Sequence, residues 1–309
     1  MAFSQTIEAY DLLDSPKASG EQVREALRQR GVVEIEVRKL KGGKGETDFV
    51  KIIFPGTSGK RSGGDAPTLG VIGRLGGIGA RPHKLGLVSD ADGAITAIAT
   101  AFKLADMVKE GDILAGDVIV STHICPTAPI KSRKPVDFMD SPVGLSSILD
   151  YEVDQSMEAI LSIDATKGNR VINYRGFAIS PTVKEGYILR VSEDLLDIME
   201  RVTGRAPRVF AITTQDITPY GNGIYHLNSV MQPATVTKAP VVGIAITTEV
   251  MVPGCGTGAN QIVDIEQVVR FVIEVAKEFG EERARFYDED EFSRLIELYG
   301  PLNQLQGLG

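Results

Sequence analysis

The chain has 309 residues, 43% of them hydrophobic, a formal net charge of -8 and two Cys. No apolar run approaches the roughly 20 residues that span a bilayer, no basic patch marks a nucleic-acid surface, and two Cys cannot form a disulfide framework. Met1-Ala2-Phe3-Ser4-Gln5 lacks the basic and apolar parts of a signal peptide. The expected setting is the cytoplasm, with no membrane or nucleic-acid partner and with Cys125 and Cys255 as free thiols.

Residues 1 to about 30 carry Val23, Ala26 and Leu27 at helical spacing. Val32 to Arg38 alternates apolar and charged residues as a half-buried strand does. Lys39 to Glu46 reads as a hairpin tip and Phe49 to Phe54 as the second strand. Residues 55–67, with four Gly, read as a flexible loop. An apolar strand from Leu69 ends in Gly73-Arg74-Leu75-Gly76-Gly77-Ile78-Gly79, and Leu85 to Val88 is a further short strand.

Ile95, Ile98, Phe102 and Ala105 form one face of a predicted amphipathic helix over Ala94–Val108, stopped by Gly111. Asp117 to Thr122 is an apolar strand ending at His123. Ala159–Asp164, Arg170–Ser180 and Arg208–Thr213 read as strands. Ser192 caps a helix that Gly204 ends. Asn222–Met231 is read as helical and Pro240–Thr247 as an interior strand. Asp264 with Gln267 gives a capping-box-like start to a last long helix. The acidic run from Glu281 to Glu291 is read as a solvated helix end. This strand–helix alternation predicts an α/β fold, one domain over residues 1–309. The expected architecture is a three-layer sandwich with a central mixed sheet flanked by helices.

Two segments carry a resemblance. Leu87-Val88-Ser89-Asp90-Ala91-Asp92-Gly93-Ala94 resembles the metal-bridging Asp segment of co-catalytic zinc aminopeptidases. Thr257-Gly258-Ala259-Asn260-Gln261-Ile262-Val263-Asp264 resembles the segment that holds their last zinc-ligating His. The likeness covers roughly residues 68–280 and implies the zinc-aminopeptidase (phosphorylase/hydrolase)-like fold. Asp90 matches the bridging Asp and Asp164 the later Asp ligand. The His-x-Asp position falls near Arg74, the Glu pair near His123-Ile124-Cys125-Pro126, and the final His on Thr257. A zinc pair needs His and carboxylate ligands around both ions and a Glu base, so the expectation is no two-zinc centre. The family's inserted dimerisation domain has no counterpart between Arg74 and Asp90. The chain as a whole is also similar to a bacterial family of unassigned function, domain-of-unknown-function family 1177.

The remaining candidates follow from residue chemistry. Asp90, His123 and Asp164, with Cys125 as a fourth ligand, could hold at most one divalent metal ion. The alternatives are no cofactor and a His simply hydrogen-bonded at a loop start. Arg74 and Arg81, in the Gly-rich turn, are candidates for binding a carboxylate or phosphate. Asp216 lies in a polar Gly-rich loop that resembles an aminopeptidase substrate loop. Cys255, among glycines, is expected to sit at an amide nest that can bind an anion or lower a thiol pKa, the alternative being a tight turn with a buried Cys. Cys-Gly-Thr-Gly also resembles a motif of two-thiol racemases, with Cys125 as the second thiol. Three functions stay open: an enzyme acting on a small amino-acid or peptide-like ligand, a non-catalytic binding or assembly protein, and a two-Cys racemase. A homo-oligomer is expected in each. If the alignment slips, Asp92, Asp216 or Glu249 would serve as the missing carboxylates.

Overall fold

In a computed structural model, the structure describes residues 1–74, 87–132, 138–166, 168–212, 229–251, 260–302 and 306. The N-terminal segment forms α1 (Phe3–Asp14) and α2 (Gly20–Arg28), then the hairpin β1 (Ile35–Gly42) and β2 (Gly45–Phe54). The expected tip is therefore narrower: Lys39 to Gly42 pair in β1, and only residues 43 and 44 turn. Next come β3 (Leu69–Gly73), α3 (Asp92–Lys109), β4 (Val118–Ile124), β5 (Ile130–Lys131), β6 (Phe138–Met139) and α4 (Leu145–Glu152). The second half supplies β7 (Ala159–Thr166), β8 (Gly176–Ile179), β9 (Val183–Lys184), β10 (Tyr187–Ile188) and α5 (Glu193–Thr203). A 3-10 helix (Ser229–Thr235), β11 (Val241–Thr247), α6 (Ile262–Gly280) and α7 (Glu289–Tyr299) complete it.

Nine strands make one mixed sheet in the order β1-β2-β4-β3-β7-β11-β9-β10, with β8 also pairing β11. The strands β4, β3, β7 and β11 run parallel. Their side chains alternate between two apolar cores, as the pleat requires. Val71, Val120, Leu161 and Ile244 join the core beneath α1, α3 and α6. Ile72, Ile119, Ile160 and Ala245 join the opposite core, beside the 3-10 helix. The fold is α/β, a mixed sheet flanked by helices. Among the described residues no helix is long and apolar enough to cross a membrane.

Several expectations hold. Helix α5 has Ser192 as its cap, whose hydroxyl accepts from the Leu195 amide at 3.2 Å, and it ends on Gly204 with φ 65°. β11 is a fully buried strand. The acidic run lies largely at the start of α7, where Asp288 caps the helix and negative charge suits the N-terminus.

Others are corrected. α3 is not two-faced: Thr96 and Thr100 are as buried as Ile95 and Ile98, because α1, α2 and α6 cover the side away from the sheet. Leu87 and Val88 lie in no strand, and residues 208–212 form only an isolated bridge at Val209, Thr213 lying outside the described residues. Residues 170–175 lie outside β8. The capping box at Asp264 does not form. Gln261 occupies the cap position without a side-chain bond, and the Asp264 carboxylate accepts from Arg175 Nε at 3.3 Å instead.

The loop at 55–67 is tied down rather than loose. Asp117, buried at the start of β4, accepts from the Gly56 amide at 2.8 Å and the Arg61 amide at 3.0 Å. A Cβ on Gly56 would lie 2.2 Å from the Ala115 carbonyl oxygen, so this glycine serves close backbone approach. Replacing Asp117 by Ala strips one buried and one part-buried amide of a charged acceptor. It is expected to lower stability by about 2 kcal/mol, read as a shift in the urea midpoint at unchanged slope.

Candidate functional site

The site is built where β4, β3 and β7 end. Arg74 follows β3 directly, and its amide donates to the Ile163 carbonyl at 2.7 Å, prolonging the ladder. Ile72 stands opposite Ser121 in β4 and Ser162 in β7. Two residues further on, the same register sets Arg74 between His123 and Asp164. All three are on the face opposite α3. With strands about 4.8 Å apart, His123 and Asp164 are separated by roughly 10 Å of backbone, with Arg74 between them. All three are almost fully buried.

The position has a topological cause. The connection through α3 carries the chain from β3 to β4 on one face. The connection through α4 then carries it back across β3 to β7 on the other. In open α/β sheets ligands gather in the crevice outside such strand ends, where the winding reverses. α3 abuts this edge through glycine. A Cβ on Gly93 would lie 2.5 Å from the Arg74 carbonyl oxygen and 2.8 Å from that of Ile163. Only glycine lets the helix start so close to the strands.

Arg74 is not free to bind a ligand anion as expected. Its Nη1 donates to Glu152 at the end of α4, and its Nη2 to Gln232 in the 3-10 helix. Glu152 is fully buried, and burial pushes its carboxyl up while Arg74 opposes the rise. The pair leaves Arg74 Nε and Glu152 Oε1 without a partner among the described residues. Asp164 accepts from the Ser229 hydroxyl at 2.9 Å, so one 3-10 helix holds both Arg74 and Asp164.

His123 lies in β4 itself. The Thr47 hydroxyl in β2 is 3.1 Å from its Nδ1 and donates to the Ile124 carbonyl at 3.1 Å. Burial and the neighbouring Arg74 push the His123 imidazole down to about 4, so it is neutral at pH 7.

Acidic groups sit on the α3 side of the edge. Asp90 accepts from the Met139 amide at 3.4 Å, and Asp92, in the first turn of α3, accepts from Asn260. Burial pushes the Asp92 carboxyl well above the usual range, the Asn260 bond opposes this, and Asp90, Asp264 and Asp164 add to the rise. Asp92 therefore lies within the field of three other carboxylates. Burial also raises Asp264. Of the alternative carboxylates, Glu249 is exposed.

Cys125 is buried among Val88, Ala128 and Met139. Its thiol donates to the Glu46 carbonyl at 3.4 Å, and burial pushes it up. A thiol so held is a poor nucleophile. Arg81, Asp216, Cys255 and Thr257 lie outside the described residues, as do His83 and His226.

Among the described residues no three His, Cys, Asp or Glu side chains are grouped to hold a metal ion. The expected set of Asp90, His123 and Asp164 is not assembled there. The register supplies a reason: a guanidinium stands between His123 and Asp164. These three residues do not fit a metal.

Sequence reading missed Glu152, Gln232, Ser229, Thr47 and Asn260. None of the five carries a local signal: even Glu152 closes a helix that already holds Ser146, Ser147 and Asp150.

The polar cluster thus lies at the strand ends of an α/β sheet flanked by helices. The chain belongs to the family described as "Protein of unknown function (DUF1177)", whose model matches residues 38–309. Among solved structures it is similar to the Legionella pneumophila LapA aminopeptidase, at 11% identity and TM-score 0.49 over 92% of this chain and 70% of that one. It is also similar to a glutaminyl cyclase of an Acidobacteriales bacterium, at 13% identity and TM-score 0.47 over 91% and 94%. A second LapA structure gives 12% identity and TM-score 0.45 over 90% and 72%. None of these carries a residue role to this chain. No curated protein matches it.

Proposed function

We propose that this chain binds, and acts on, a small amino-acid or peptide-like ligand in the crevice at the ends of β3 and β7, without a two-zinc centre. The observation that carries the reading is the row His123–Arg74–Asp164 at the switch point of the sheet, with carboxylates from the start of α3 beside it. Buried polar groups are costly unless satisfied, and their concentration at one sheet edge supports a site rather than a core.

The row offers a neutral imidazole acceptor and a carboxylate, both suited to a ligand with N–H or O–H donors. Arg74 is spent on Glu152 and Gln232, so it shapes the crevice rather than binding charge. A non-catalytic binding protein on the same scaffold is the second reading, favoured by that commitment of Arg74. The two-thiol racemase loses support from the buried Cys125 thiol.

The test is a thermal-shift and calorimetric panel of amino acids and dipeptides on the purified protein, with elemental analysis and aminoacyl-amide hydrolysis in parallel. Saturable binding that weakens at least tenfold in Asp164→Asn is expected, with fewer than two metal ions per chain. Binding without turnover would select the second reading. Two zinc ions per chain with hydrolysis, or no binding across the panel, would overturn the proposal.

A further inference from the structure

We infer that Thr47 locks His123 in one tautomer, so that Nε2 is a fixed hydrogen-bond acceptor for an N–H or O–H donor of the ligand; the ligand half of this rests on the reading above. The argument is proton counting. A hydroxyl has one proton. The Thr47 hydroxyl lies 3.1 Å from both the Ile124 carbonyl oxygen and His123 Nδ1. A carbonyl oxygen only accepts, so both 3.1 Å contacts can be hydrogen bonds at once only if the Thr47 proton goes to the carbonyl. The contact with Nδ1 is then a hydrogen bond only if Nδ1 carries its own proton and donates to Thr47 Oγ1. A neutral imidazole has a single N–H, so Nε2 is left with a bare lone pair.

The lock is built from rigid parts. Thr47 is in β2 and His123 in β4, and these strands pair directly, with Phe49 opposite His123. Thr47 and His123 are both nearly fully buried, so water does not compete freely for the hydroxyl. Among the described residues Thr47 is the ring's one hydrogen-bond partner. His123 shares its sheet face with Arg74 and Asp164, so the lone pair belongs to the crevice side of the sheet. Thr47 acts through His123 and is a positioning residue.

Two consequences separate this from a merely structural histidine. The ring offers a ligand an acceptor and no donor, so a ligand atom that can only accept is disfavoured at this point. The tautomer also depends on a single hydroxyl in the neighbouring strand, so it responds to a small change at Thr47 that leaves the packing intact.

The test is nitrogen NMR of the full chain with 15N-labelled histidine, with His123→Gln used to assign its signals. A single Nδ1–H tautomer between pH 6 and pH 8 is expected. Thr47→Val, which keeps the shape and removes the hydroxyl, is expected to populate Nε2–H, and Thr47→Ser to restore the lock. An Nε2–H ring in the unaltered protein, or a Thr47→Val spectrum identical to it, overturns the lock. For the ligand, any amino acid or dipeptide that binds is expected to shift the Nε2 resonance toward that of a hydrogen-bonded nitrogen. Binding with no Nε2 shift overturns the acceptor role and leaves the proposed function standing. A panel in which nothing binds overturns the proposed function and the ligand half together, while the tautomer result still decides the lock.

Discussion

Replacing Arg74 by Ala is expected to cost about 3–5 kcal/mol, because it leaves the carboxylate of Glu152 buried without its counter-charge. Both partners are essentially inaccessible to solvent, so neither rearrangement nor water compensates the loss. The pair also joins elements: Arg74 extends β3, Glu152 ends α4, and Gln232 belongs to the 3-10 helix. A loss of this size is a large part of a typical domain's total stability. Glu152→Gln is the companion change: it keeps a hydrogen-bond acceptor but leaves the Arg74 guanidinium buried without a counter-charge, so it too is expected to destabilise. The double change Arg74→Met with Glu152→Met should recover most of the loss, because two apolar side chains need no partners and the native pair is only partly satisfied. Urea unfolding of the four proteins measures this. A cost below about 1 kcal/mol for Arg74→Ala, the range of an exposed ion pair, would mean that the pair is reached by water.

Much of the scaffold was legible in the sequence because its signals are local. The apolar run Val241–Thr247 reads as a buried strand whatever surrounds it, and Ser192 with Gly204 brackets α5 through bonds made within a few residues. The failures were non-local. Asp264 has the spacing of a capping residue, yet its carboxylate meets Arg175 from 89 positions away. The spacing of Ile95, Ile98, Phe102 and Ala105 predicts a single apolar face, and only the packing of α1, α2 and α6 around α3 buries Thr96 and Thr100 as well. The candidate site divides in the same way. Arg74, His123 and Asp164 were each singled out as residues at strand ends. Their order across the sheet follows from the register of β4, β3 and β7, which no single segment encodes. That order is what sets a guanidinium between two expected metal ligands. Thr47 and Gln232 carry no local signal, since a threonine in a hairpin and a glutamine before a proline are ordinary in themselves.

The pH dependence of stability should carry the mark of His123. An unfolded histidine takes its proton near 6.5, whereas in the folded chain burial and Arg74 push the group down to about 4. The unfolded state therefore binds more protons through that interval. The contribution of His123 is fully present above about pH 6.5 and is lost as pH falls through about 4. The interval corresponds to roughly 3 kcal/mol. Asp92 and Glu152 act in the opposite sense. Their carboxyls are raised by burial, so they favour the folded state increasingly as pH falls, and they blunt the total acid loss. The informative quantity is therefore a difference. Stability of the unaltered protein minus that of His123→Gln should decline by about 3 kcal/mol from pH 7 to pH 4, measured by urea unfolding at each pH. Asp92→Asn should change the profile the other way, removing a penalty that grows with pH and so making the acid loss steeper. A His123→Gln difference that stays constant across this range would mean that the imidazole is solvated and titrates normally. It would then be half-protonated near pH 6.5 instead of presenting a neutral ring to the crevice.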